Sequence, residues 1–179
     1  MKRLFLIAGL MTAFGLAVLA ASAASANFAG TWSLDKTKSQ NLSRGMQNAE
    51  SVSWVITQND KTISIESKVT GGQPPAGGGP GGGGGGMGGP RVYNLDGTET
   101  TSDITGQATG KATSKATWAS DGKVLELSRK SVVTTPNGEV TSTTTQKLEL
   151  SGDGKVLTVN QHSESPRGPQ DSTLVFNKQ

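Results

Sequence analysis

Few residues in this chain carry chemistry. Of its 179 residues, one is histidine, three are tryptophan and none is cysteine. A zinc site of usual composition draws several ligands from Cys and His, and His162 stands alone, so no metal site is assigned. A Ser-His-Asp triad is arithmetically available, but no Gly-x-Ser-x-Gly elbow accompanies it. His162 therefore reads as a solvated strand residue. Residues 77–89 satisfy Gly-x-Gly-x-x-Gly trivially, because the stretch is almost all glycine, and no helix follows to receive a pyrophosphate. Residues 106–112 end in Gly-Lys-Ala, without Walker spacing and without a hydroxyl for magnesium. Asp121 and Asp153 stand in Asp-Gly dipeptides, which suit turns and miss the calcium-loop spacing. No catalytic residue and no cofactor is assigned, and the chain reads as a non-enzyme.

What remains is aromatic and cationic. Trp32, Trp54 and Trp118 each fall on the less polar side of an expected strand. Core packing is the first reading for them and contact with a ligand the second, which makes them the candidate ligand-binding residues. Lys111, Lys115 and Arg129 are placed on one face across a hairpin at Asp121-Gly122. An outer face would discourage aggregation, whereas an inner one would suit an anionic ligand.

The N-terminus reads as a signal peptide. Lys2 and Arg3 precede an apolar run from Leu4 to Ala21, and Ala24-Ser25-Ala26 then offers a small-x-small cleavage site, with Ala21-Ser22-Ala23 as a second choice. Residues 1–26 are expected to be removed, leaving no stable membrane anchor and a periplasmic or secreted protein of residues 27–179. Without cysteine, that protein has neither disulfides nor a lipidated N-terminus. Losing Lys2 and Arg3 from the 17 basic side chains leaves 15 against 14 acidic ones. So balanced a chain, with no dense Lys/Arg stripe, does not read as a nucleic-acid binder.

The elements that must position these residues are short strands. Residues 30–35, 51–58, 62–68, 91–95, 99–105, 108–119, 123–134, 140–150, 156–162 and 172–177 read as strands, separated by turn dipeptides such as Asn59-Asp60, Asp96-Gly97 and Asn137-Gly138. Only residues 39–50 suggest a helical turn. Val52, Trp54 and Ile56 share one side, as do Ile63 and Ile65, Leu125 and Leu127, Leu148 and Leu150, Leu157 and Val159, and Leu174 and Phe176. The run Asp121-Gly122-Lys123-Val124-Leu125 recurs as Asp153-Gly154-Lys155-Val156-Leu157, which implies a meander of similar hairpins. Residues 71–90 hold 13 Gly and 4 Pro in 20 positions and are expected to be a disordered loop interrupting the domain. The expected fold is all-β: a single antiparallel up-and-down barrel or half-barrel, since closure removes exposed strand edges.

Residues 27–34, Asn-Phe-Ala-Gly-Thr-Trp-Ser-Leu, open the mature chain, and Gly30-x-Trp32 resembles the opening of lipocalins and related calycin barrels. Together with the Ser-Asp-Gly-Lys turn at 120–123, it also resembles small secreted bacterial proteins called lipocalin-like. The resemblance implies that Gly30 lets the chain bend into the barrel and that Trp32 plugs its closed end. It further implies a cup for a small apolar or amphipathic molecule. The alternative is a structural or interaction scaffold of the cell envelope, with the Gly/Pro loop or a sheet surface meeting a partner.

Overall fold

Alternation of apolar and polar residues is realised as strand at each of the ten expected places. The computed structural model describes residues 25–71, 89–105, 109–136 and 138–179. Residues 1–24 of the expected signal peptide, residues 72–88 of the expected loop, and Asn137 lie outside the described residues. The strands are β1 (Gly30–Leu34), β2 (Ser51–Gln58), β3 (Thr62–Thr70), β4 (Arg91–Asn94), β5 (Thr100–Ile104), β6 (Thr109–Trp118), β7 (Val124–Thr135), β8 (Gly138–Leu150), β9 (Val156–Glu164) and β10 (Gln170–Lys178). One short helix, α1 (Arg44–Asn48), falls inside the expected helical turn. The Ser43 hydroxyl caps it by accepting from the Met46 amide at 3.4 Å. No helix among the described residues is long and apolar enough to cross a membrane.

All ten strands join one antiparallel sheet in the order β4-β3-β2-β1-β10-β9-β8-β7-β6-β5. β1 is the hinge of that order: Trp32 lies opposite Trp54 of β2 on one side and Lys178 of β10 on the other. The two ends of the sheet come back beside each other, with β4 lying against β5 and β6. The result is a nearly closed barrel, which decides between the barrel and the half-barrel. The connection at 95–99 turns at Asp96-Gly97, yet β4 and β5, the strands it joins, do not pair. Both are short, and short edges limit their use as templates for further strand pairing.

The turns repeat one device. At Asp96, Asp121 and Asp153 the carboxylate accepts the amide of the residue two places on, at 2.9, 2.9 and 3.1 Å. The glycine that follows Asp121 takes a φ of 68°, and the one after Asp153 a φ of 67°, a region an L side chain rarely adopts. The internal echo is therefore a turn requirement met twice.

The inward side chains form one cluster. Phe28, Trp32, Ile63, Leu125, Leu148, Leu157, Val159 and Phe176 are fully buried, with Val52, Trp54, Ile56 and Ile65 beside them. α1 adds Met46, and Ala49 follows. Every pair expected to share a face does so, on the inner face.

Candidate ligand-binding site

The barrel interior has an aromatic floor. Trp32 sits there fully buried, its indole Nε1 donating to the Phe28 carbonyl at 2.9 Å and the Lys178 ammonium 5.2 Å above its ring. Phe28 stacks on Trp118 with centroids 6.0 Å apart, and Trp54 tilts against Phe176 at 4.7 Å. The segment before β1 closes this end. The Phe28 amide donates to Gln58 Oε1 at 2.9 Å, Gln58 Nε2 donates to the Ala26 carbonyl at 3.0 Å, and the Ala26 amide donates to the Gly122 carbonyl at 2.9 Å. Of the three candidate tryptophans, Trp32 and Trp54 are buried and Trp118 is half-buried.

Further along β6 to β9 the inner face changes character. Above the pair Leu125–Leu148, the inward positions become Gln146 and Gln161, then Ser114, Arg129, Thr144 and Ser163, then Ser131 and Ser142. These groups bond to one another. Gln146 Nε2 donates to Gln161 Oε1 at 2.8 Å, the Ser131 and Ser142 hydroxyls are 2.9 Å apart, and those of Thr144 and Ser163 are 3.3 Å apart. Among the described residues, no side-chain nitrogen or oxygen fully withdrawn from solvent lacks a partner.

Arg129 is the charged member of this wall. Half-buried, it donates from Nη1 to the Ser114 hydroxyl at 3.2 Å. Desolvation first, and then the charge of Arg91, hold its pKa below the usual guanidinium value. Tyr93 of β4 is buried on the same inner face, opposite Ile63, with Arg91 two residues before it opposite Ile65. Burial pushes the Tyr93 phenol up, against the pull of both arginines.

Register separates the three cations expected to share a face. Lys111 and Lys115 lie opposite Val132 and Ser128 and are exposed on the outer side, where Lys111 pairs with Asp103 at 3.0 Å. Arg129 lies opposite Ser114, on the inner side. The signal was available, because the alternation Leu125, Leu127, Arg129, Ser131, Val133 carries Arg129 inward. Tyr93 and Arg91 gave less warning, since a four-residue strand shows little periodicity.

Outside the barrel, an open groove of about 390 Å³ runs across β8, β9 and β10 beside Gln40 and Asn41. His162 lies in it, exposed, with Nδ1 2.7 Å from Asp171 Oδ1 and Nε2 3.5 Å from Glu164 Oε1. The hydrogen bond to Asp171, and next that to Glu164, raise the imidazole pKa above its ordinary value. Among the described residues, no group of three or more His, Cys, Asp or Glu is placed to hold a metal ion.

No family model and no curated protein sequence matches the chain. Among solved structures, the zebrafish ileal bile acid-binding protein complexed with cholic acid matches at 12% identity and a TM-score of 0.49, over 85% of this chain and 98% of that one. The fold assignment rests on the strand order. It is an all-β, nearly closed ten-stranded antiparallel barrel with an aromatic floor and a polar inner wall.

Proposed function

We propose that this protein is an exported binding module holding a small amphipathic molecule inside its barrel. The observation that carries the reading is the division of the inner face. An apolar floor around Trp54, Trp118 and Phe176 is continuous with a hydrogen-bonding wall around Arg129 and Gln146. Ligand sites combine this same pairing, apolar area for affinity and a few placed polar groups for orientation. Trp118 is the tryptophan most open to such contact, Trp32 and Trp54 lying deeper.

Export follows from the N-terminal 26 residues, and the barrel bears on where cleavage falls. Ala26 bonds through both its amide and its carbonyl, so a cut after Ala26 forfeits these links and a cut after Ala23 keeps them. Intact-mass measurement of the mature protein distinguishes the two.

The test of function is extraction and mass spectrometry of protein purified from its native host, followed by calorimetric titration with dodecanol. A co-purified amphiphile, or dodecanol binding that quenches tryptophan fluorescence, is the expected result. An empty extract together with no binding would leave the scaffold reading.

A further inference from the structure

We propose that Arg129, Tyr93 and Arg91 form a receptor for an anionic group. On this assignment the molecule in the barrel is an anionic amphiphile whose phosphate, sulfate or carboxylate head lies where β4 approaches β6 and β7. The amphiphile rests on the proposed cup; the anion receptor stands on its own geometry.

Three observations carry it. First, Arg129 points to the inner face from β7, while Tyr93 and Arg91 share the inner face of β4, across the unpaired boundary of the sheet. β4 lies against β6, whose Ser114 is the hydrogen-bond partner of Arg129. Second, no acid faces them. Every Asp and Glu of the ten strands alternates onto the outer face, Glu126 towards Lys147, Asp103 towards Lys111 and Asp171 towards His162. Third, the donors are underused. Among the described residues Arg129 makes one hydrogen bond and no ion pair, and the Tyr93 hydroxyl makes none.

A guanidinium partly withdrawn from water and within the field of a second, exposed one is a costly arrangement without a counter-charge. The depressed pKa of Arg129 has that origin: burial first, Arg91 second. A tetrahedral or planar oxyanion supplies the missing charge and matches the guanidinium fork, which presents five donors and here uses one. The Tyr93 phenol adds a neutral donor beside them. Chain and head then have separate partners, the apolar chain the aromatic floor and the head this receptor.

The test is calorimetric titration of the full chain with three probes: inorganic phosphate, dodecyl phosphate and dodecanol. Each is repeated on Arg129→Gln, Arg91→Gln and Tyr93→Phe. Wild type is expected to bind dodecyl phosphate at least tenfold more tightly than dodecanol, with the preference shrinking as salt is added. Arg129→Gln is expected to bring dodecyl phosphate affinity down to that of dodecanol and so remove the preference; Arg91→Gln, at an exposed position, reduces the preference severalfold and carries the test if Arg129→Gln fails to fold. Inorganic phosphate binding to wild type but not to Arg129→Gln, with no dodecanol binding, retains the receptor for a free anion and removes the cup. Equal affinity for dodecyl phosphate and dodecanol in wild type, or a preference that survives Arg129→Gln, overturns the receptor. So does the absence of any phosphate or dodecyl phosphate binding.

Discussion

The aromatic floor and the β7–β8 hairpin are built on one backbone plan and put it to different uses. Both alternate with period two, and both run in unbroken antiparallel register. On the floor, the inward residues are Trp32, Trp54, Phe176 and Leu157, fully or almost fully buried, with Trp32 satisfied by a single bond to Phe28. Along β7 and β8, the inward residues from the level of Leu127 onward include Arg129, Ser131, Ser142 and Gln146, held to one another or to neighbours by side-chain hydrogen bonds. The floor buries apolar area, which drives folding without direction. The wall contributes oriented donors and acceptors, each adding little net stability. One barrel thus separates an apolar region that holds it together from a polar region of oriented groups.

The difference is sharpest in what each region loses on truncation. Trp32→Ala is expected to cost about 3–5 kcal/mol, the range for large aromatic truncations in cores. That is a large share of a total near 5–15 kcal/mol. A chemical-denaturation midpoint unchanged from wild type would show that the floor is not the stabilising region. Gly110→Val comes next, at about 1–3 kcal/mol for overpacking. A Cβ at Gly110 would stand 2.0 Å from the Val132 carbonyl oxygen and 2.7 Å from Val133 Cα, prising β6 from β7 at the polar end. Slower-exchanging amides in β8 than in β6 of that variant would locate the damage.

In the wall itself, Ser131→Ala removes the bond to Ser142 and is expected to cost about 1 kcal/mol. A double-mutant cycle with Ser142→Ala should return most of that as coupling. Coupling near zero would mean that the two hydroxyls act independently. Arg129→Met is expected to change stability by less than about 1 kcal/mol, or to raise it, because it removes a partly desolvated charge that has no counterion. A loss as large as that of Trp32→Ala would erase the distinction between floor and wall.

The smallest effect lies on the outer face. The His162 pKa is raised in the fold, so its contribution to stability is fully present below the unfolded value of 6.5 and is lost as pH rises through the folded value. Imidazole titration by NMR should give a pKa above 6.5 in wild type and a lower one in Asp171→Asn. Equal values in the two proteins would remove Asp171 as the principal cause. His162 is exposed, so added salt should shrink the shift.

Much of the fold was legible because its signals are local. Asp121-Gly122 and Asp153-Gly154 specify their turns through a side-chain bond two residues on and a positive φ, with no help from the rest of the molecule. The pairs Leu125/Leu127 and Leu157/Val159 declared their face by spacing alone, since successive strand side chains point to opposite sides. The resemblance carried by Gly30-x-Trp32 implied a plugging tryptophan, and Trp32 is buried with the Lys178 ammonium over its ring. The site was harder. Arg129 could be placed inward by following alternation along β7, but placing it with Lys111 and Lys115 required a register, and register is a property of two strands.

The sequence by itself determined the places of ten strands, the Asp-Gly turns, a short helical segment within 39–50 and the apolar side of the strands that alternate clearly, all from interactions within a few residues. Only the tertiary structure decided that the sheet nearly closes, that the break falls between β4 and β5, and that Arg129 of β7 and the pair Tyr93 and Arg91 of β4 face inward on its two sides. The physical reason is range. Turn geometry and alternation act between neighbours in sequence, whereas strand pairing and the mutual field of charges join residues tens of positions apart. Those become neighbours only once burial of the aromatic floor has drawn the sheet around itself.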